Sequence, residues 1–184
     1  MSLTETAEAV LISIIIPAYN EEQRLPSTLA ALDAFIDANP NQVLPPNGVE
    51  LIIVDNASTD RTAQIAQDYA STRPWAKLIT QTRRGKGAAV QAGMFAGKGQ
   101  LLFICDADLA MPFSELPKFL PPKLSGYDIA IGSREGEGAK RFDEPAMRHL
   151  QGRVATLLTK LVLGLPHEDT QCGYKCFRRE VAQD

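Results

Sequence analysis

Short apolar runs alternate along the chain with stretches in which apolar residues recur every three or four positions. Residues 11–16 form the first run, closed by Pro17, and read as a buried strand. Leu25, Leu29, Leu32 and Ile36 then share one face of a helix. Residues 39–48, rich in Pro and Asn, read as a surface loop. A second strand is expected over 49–54, followed by a helix running to about Ala70 and capped by Ser58 or Thr59. Further strands are expected over 76–80, 101–105 and 127–131, with a helix of small residues over 86–96. A Gly- and charge-rich loop occupies 133–145. The last helix, about 146–163, buries Met147, Leu150, Val154, Leu157 and Leu161. This alternation predicts an α/β domain with a mostly parallel central sheet flanked by helices.

Composition narrows the picture only slightly. A chain of 184 residues, 45% hydrophobic and 22% charged, fits a single soluble domain with its own core. A net charge of −3 argues against a nucleic-acid partner, which selects for a basic excess. Cys105, Cys172 and Cys176 cannot all pair, which favours a reducing cytoplasm. The apolar runs fall short of the ~20 residues that span a bilayer, and the first residues lack the basic start of a secretory signal. Residues 178–184 form no clear terminal element, so the expectation is one domain over 1–184, truncated at its C-terminus.

The polar residues of interest all follow expected strands. In an open α/β sheet that edge is where ligands bind. Pro17-Ala18-Tyr19-Asn20-Glu21 offers an aromatic face for a base and a carboxylate for ribose hydroxyls. Asp55-Asn56-Ala57-Ser58-Thr59-Asp60 offers a carboxylate that accepts from a base or hydroxyl, with Ser58 and Asp60 forming the turn and capping the next helix. Asp106-Ala107-Asp108 places two carboxylates one residue apart, suited to a ribose and to a hard divalent cation such as Mg²⁺ or Mn²⁺. Arg83-Arg84-Gly85-Lys86-Gly87 brings cations and bare backbone to a helix N-terminus, which favours an anion. A Walker A loop is excluded because Gly87 follows Lys86 where Ser or Thr is needed. A dinucleotide fingerprint fits less well, since Val90 takes its third small-residue position.

Taken together, these segments resemble the family 2 glycosyltransferases, which have the nucleotide-binding GT-A fold, a single Rossmann-like domain. The similarity runs over about 13–177. The resemblance implies that Pro17, Ala18, Tyr19, Glu21 and Asp55 hold the nucleoside of a nucleotide-sugar donor, with Gly85 and Lys86 at the same site. It also implies that Asp106 faces ribose or base and that Asp108 binds the metal. The segment Asp169-Thr170-Gln171-Cys172-Gly173-Tyr174-Lys175-Cys176-Phe177, with Gly132-Ser133-Arg134 upstream, looks like the subgroup that glycosylates polyprenyl phosphates. Within it the likeness is to dolichyl-phosphate β-glucosyltransferases first and to mannose synthases next. Mannose synthases often carry a metal-binding Gln two positions after the second acid; here that position is Ala110.

For such an acceptor, Arg134, Arg148 and Arg153 supply the forked donors that suit phosphate oxygens. Asp169 serves as a base in relatives with hydroxyl acceptors and otherwise orients the acceptor. The expected enzyme is therefore an inverting, metal-dependent hexosyltransferase. It would work peripherally at the cytoplasmic face of a membrane, reached through its acceptor or a missing C-terminal segment. The alternatives are a GDP-mannose-using mannose synthase, a family 2 transferase acting on a saccharide hydroxyl, and a nucleotide-sugar binding protein without turnover.

Overall fold

The structure is a computed structural model that describes residues 10–38, 44, 47–122, 126–133 and 172–184. Its elements in chain order are β1 (Ile12–Ala18), α1 (Leu25–Ala38), β2 (Val49–Asp55), α2 (Thr62–Ser71), β3 (Ala76–Thr80), α3 (Lys86–Ala96) and β4 (Leu101–Ile104). A 3-10 helix (Phe113–Phe119), β5 (Ile129–Ile131), β6 (Lys175–Arg178) and a one-turn helix (Arg179–Ala182) follow. The strands form one sheet in the order β3-β2-β1-β4-β6-β5. β1, β2, β3 and β4 are parallel, and β6 runs antiparallel between β4 and β5.

Alternation along the strands builds two cores. Ile12, Ile14 and Ile16 of β1 join Leu51, Ile53 and Phe103 under α1, α2 and the 3-10 helix. Ile15, Ile52, Val54 and Leu102 face the other way, beneath α3. The inward residues of α3 are small (Ala89 and Gly93 are buried), so the helix lies close on β1 and β2. The last expected helix, 146–163, lies outside the described residues. Among the described residues, no helix is long and apolar enough to cross a membrane.

Three expectations change. Pro17 does not end β1, which continues to Ala18. The Ile15 carbonyl accepts from Cys105 N–H at 2.9 Å, so Ile15 points its polar groups at β4 and, by alternation, Pro17 does too. The β1–β4 register stops at Ile15–Ile104, so the N–H that proline lacks has no ladder to serve. Second, neither Ser58 nor Thr59 caps α2, whose N-cap position is Arg61. Of the expected capping residues it is Asp60 that serves the first turn, accepting from Thr62 N–H at 2.9 Å. Third, the fifth strand is shorter than expected, and β6 and the 3-10 helix are additions.

The N-terminal edge of the sheet is tied by a partly buried cluster on Glu50. Its Oε2 accepts from the Ser13 hydroxyl at 2.6 Å and from Lys98 N–H at 2.9 Å, and its Oε1 from Lys77 Nζ at 2.7 Å. Burial pushes the Glu50 carboxyl up, but the hydrogen bonds from Lys77, Ser13 and Lys98 outweigh it and hold the group below its ordinary value.

Glu50→Ala strands Ser13, Lys77 and the Lys98 amide together, and should cost about 2–3 kcal/mol at pH 7 in urea unfolding. Because the folded-state pKa is depressed, this contribution is complete above the unfolded value of about 4.3 and is lost as pH falls through the folded one. The stability gap between the two proteins should therefore stay constant from neutral pH to about 5 and narrow below about 4.

Candidate functional site

Parallel strands that end on one edge bring their following loops together there. The loop after β1 and the loop after β2 lace to each other. Asn20 N–H donates to Ser58 Oγ at 3.0 Å, and Asn20 Oδ1 accepts from Thr59 N–H at 2.8 Å. Glu21 N–H donates to Thr62 Oγ1 at 2.7 Å, and Glu22 N–H to Asp60 Oδ2 at 3.2 Å. Burial works against the Asp60 charge, but hydrogen bonds from Thr62 and Glu22 prevail and keep its carboxyl below the ordinary range. Ser58, Thr59 and Asp60 are thus spent on the loop framework.

Asn56 does the equivalent work for the loop before α3. Its Nδ2 donates to the carbonyls of Gln81 (3.0 Å) and Arg83 (2.7 Å), and its Oδ1 accepts from Gly85 N–H at 2.7 Å. Gly85 sits at φ +122°, a conformation that side-chain-bearing residues rarely adopt. The loop so held delivers Arg84, Gly85 and Lys86 to the N-terminus of α3. The acidic loop after β4 is fixed from α1, where the buried Thr28 hydroxyl donates to the Ala107 carbonyl at 2.7 Å.

These loops enclose a cleft of about 480 Å³. Pro17, Ala18, Tyr19, Glu21, Asn56, Arg84, Gly85, Lys86, Asp106 and Asp108, with Ala89 and Ala107, line it. Lys86 Nζ lies 2.7 Å from Asp106 Oδ1 across the cleft. Tyr19 is 48% exposed at the wall, leaving a ring face open. Glu21 is ion-paired with Arg24 at 2.7 Å. Asp55 lies behind the lining, only 3% exposed, and its Oδ1 has no hydrogen-bond partner among the described residues. A buried carboxylate oxygen left this way is costly unless a donor reaches it.

Of the expected nucleoside and metal residues, Pro17, Ala18, Tyr19, Glu21, Gly85, Lys86, Asp106 and Asp108 line one cleft, whereas Asp55 lies behind it. Arg134, Arg148, Arg153 and Asp169 lie outside the described residues. Arg84, Asn56 and Thr28 are additions: the expected role of Arg84 was only a general basic one, and the other two had none. Asn56 had a visible signal in its place beside Asp55 at a strand end.

The donor set limits what cation fits. Asp106 and Asp108 are the acids facing the cleft after β4, and Asp108 Oδ1 also accepts from Ala110 N–H at 3.2 Å. Among the described residues no group of three His, Cys, Asp or Glu side chains is placed to hold a metal. The two carboxylates of that turn suit Mg²⁺ or Mn²⁺, which take one or two carboxylates and complete their shell with phosphates and water. The neighbouring Cys105 is fully buried, and that burial pushes its thiol up to about 12, the two aspartates adding to the effect.

The family model described as "Glycosyl transferase family 2" matches residues 13–184. A dolichyl-phosphate beta-glucosyltransferase of Trichomonas vaginalis is 34% identical over 181 residues, covering 95% of this chain and 53% of the relative. A dolichol-phosphate mannosyltransferase of Pyrococcus furiosus is 33% identical over 175 residues, covering 94% and 47%. The chain thus spans about half the length of the curated relatives it matches. Among solved structures, glucosyl-3-phosphoglycerate synthase from Mycobacterium tuberculosis, in complex with Mn²⁺, uridine diphosphate and phosphoglyceric acid, superposes with a TM-score of 0.62. It is 22% identical, with 93% of this chain and 56% of that one covered, and the likeness bears out the GT-A fold.

Asn56→Ala should release the loop before α3 while leaving the sheet intact. Losing three hydrogen bonds, two of them to carbonyls near the surface, should cost about 1–3 kcal/mol. Hydrogen exchange should show the Gly85 amide losing protection far more than the amides of β1 and β2.

Proposed function

The chain belongs to glycosyl transferase family 2, and we propose that it moves a hexose, glucose in our reading, from a nucleotide diphosphate sugar to a polyprenyl phosphate. The observation that carries this is the 2.7 Å approach of Lys86 to Asp106. A cation at a helix N-terminus there faces a pair of acids at a strand end across one cleft. The first feature suits a diphosphate, and the second suits a ribose and a divalent cation shared with that diphosphate. The relatives' names, a dolichyl-phosphate glucosyltransferase and a dolichol-phosphate mannosyltransferase, support a polyprenyl phosphate acceptor.

The donor's base is assigned to the wall of Pro17, Ala18 and Tyr19, with Glu21 and Asp106 toward the ribose. The orphaned Asp55 Oδ1 has the character needed to accept from a base N–H. Gly85 and the α3 N-terminus, with Arg84 and Lys86, meet the diphosphate. When bound by Asp108 together with that diphosphate, Mg²⁺ or Mn²⁺ would supply further neutralisation of the leaving group's charge.

In the reaction an acceptor phosphate oxygen attacks the anomeric carbon from the face opposite the diphosphate. The bond from that carbon to the diphosphate oxygen breaks, and the configuration inverts. A phosphate monoester with a second pKa near ~6 is already mostly a dianion at neutral pH, so no side chain has to remove its proton. Lys86 and the helix N-terminus stabilise the charge that grows on the departing diphosphate. Arg134, Arg148 and Arg153 are assigned to the acceptor phosphate, and Asp169 to orienting it. This chemistry is assigned to a single catalytic domain working peripherally at the cytoplasmic face of a membrane, where a polyprenyl acceptor resides.

Two donors are in contention. Ala110, in place of the Gln frequent in mannose synthases, favours UDP-glucose. The 33% identity to the Pyrococcus mannosyltransferase supports GDP-mannose as the second reading. Calorimetry should show tighter binding of UDP-glucose than of GDP-mannose, enhanced by Mn²⁺, and Asp108→Ala should abolish the enhancement with the fold intact. Preference for the guanine nucleotide reverses the donor assignment; an unchanged Mn²⁺ effect in the variant removes Asp108 as ligand.

For the acceptor, Arg148→Ala and Arg153→Ala should raise KM for polyprenyl phosphate or lower turnover while sparing donor affinity. Each lost charge-assisted contact is worth about 1.5–3 kcal/mol, or roughly tenfold and more. Lysine replacements should recover only part, because an ammonium lacks the two-pronged fork. Equal loss of donor binding would move these arginines to the nucleotide.

A further inference from the structure

Gly173 sits just before β6, and neither a left-handed backbone nor tight helix packing accounts for the absence of a side chain there. What excludes one is Asp106. A Cβ at position 173 would overlap Asp106 Oδ2, and would lie 2.8 Å from its Cγ and 3.4 Å from its Cβ. All three neighbours belong to one side chain, and that side chain lines the cleft.

The backbone around Gly173 has little room to withdraw. On one side Cys172 is buried, its Sγ 3.2 Å from Met111 Sδ. On the other, Tyr174 is buried edge-on against Phe103, with centroids 4.9 Å apart, and its hydroxyl donates to the Met111 carbonyl. Asp106 is constrained from the opposite direction as well. Its Oδ1 lies against Lys86 Nζ, and the next carbonyl along, that of Ala107, is held by Thr28.

We propose that Gly173 is a positioning residue for the donor: its missing side chain lets Asp106 lie against the entry to β6 with its carboxylate turned to Lys86. This rests on the reading of the cleft as a nucleotide-sugar site. With both backbones pinned, a methyl group at 173 is relieved by rotating the Asp106 side chain. That rotation carries the carboxylate away from Lys86 and leaves the two cores untouched. The segment leading into β6 thereby sets the geometry of an acid that belongs, in sequence, to the loop after β4.

The test is a cycle of four full-chain proteins: wild type, G173A, D106A and the double variant. UDP and GDP are each titrated with Mn²⁺ by calorimetry, and circular dichroism confirms the fold. G173A should weaken the better-bound nucleotide roughly tenfold, the loss of one charge-assisted contact. In the D106A background the same substitution should change affinity by less than about twofold, because the group it displaces is gone. Equal losses in both backgrounds, or no loss in the first, overturn the proposal. A crystal structure of G173A gives a readout that needs no nucleotide. A carboxylate moved off Lys86 supports the proposal, and an unmoved one overturns it. If the wild type binds neither nucleotide, the donor reading fails by itself, and the crystal structure decides whether Gly173 sets Asp106.

Discussion

Four adjacent parallel strands end on one edge of this sheet, and each hands its chain to a loop that has no ladder to satisfy its backbone groups. The site follows from how those loops satisfy one another. Asn20, Ser58, Asp60 and Thr62 close the first two loops together; Asn56 closes the second onto the third; Thr28 reaches from α1 to the fourth. Each contact spans 25 residues or more of sequence, so it depends on the strands that bring the loops together. Once formed, they leave a cleft whose walls are fixed by side chains that do not themselves line most of it. Preorganisation of this kind lets fixed charges act on a ligand without reorganising at the moment of reaction.

Within the cleft, opposite charges are separated by element. The cations come from the start of α3 and the loop before it, and the acids from the loop after β4, meeting at Lys86 and Asp106. A helix N-terminus adds positive potential on the cation side, and the crowded Asp106–Asp108 turn concentrates negative potential on the other. Such an arrangement is matched by a ligand that carries both phosphates and hydroxyls. Behind this lining, Asp55 Oδ1 is buried and has no hydrogen-bond partner among the described residues.

The repeating part of the fold was legible. The bounds of β3 and α3 agree with those expected, because each lies between clear breaks: Pro74 precedes β3, and Gly85 and Gly97 flank α3. What escaped has physical causes. β6 is four residues with a charged residue at each end, and pairing with β4 on one side and β5 on the other makes it a strand. The 3-10 helix buries Phe113, Leu116 and Phe119 at a spacing of three, and its internal Pro117 reads as a breaker in sequence. Pro17 was misread because a residue's freedom from ladder bonds depends on where the neighbouring strand stops. At the site, the residue types and their order were legible, whereas the division between lining and holding residues was legible only for Ser58 and Asp60, expected in the turn and found there. Asn56 and Thr28 act through contacts with distant carbonyls, and Gly173 through a side chain it leaves room for.

The central claim is transfer of a hexose to a lipid phosphate with inversion. The most direct measurement incubates the full-length protein with radiolabelled UDP-glucose, Mn²⁺ and a polyprenyl phosphate, then follows the label into the organic phase and determines its anomeric linkage. The account predicts lipid-extractable label as a β-linked glucosyl phosphate, formed from the α-linked donor. Label that stays in the aqueous phase with every nucleotide sugar offered, or an α-linked lipid product, would contradict it.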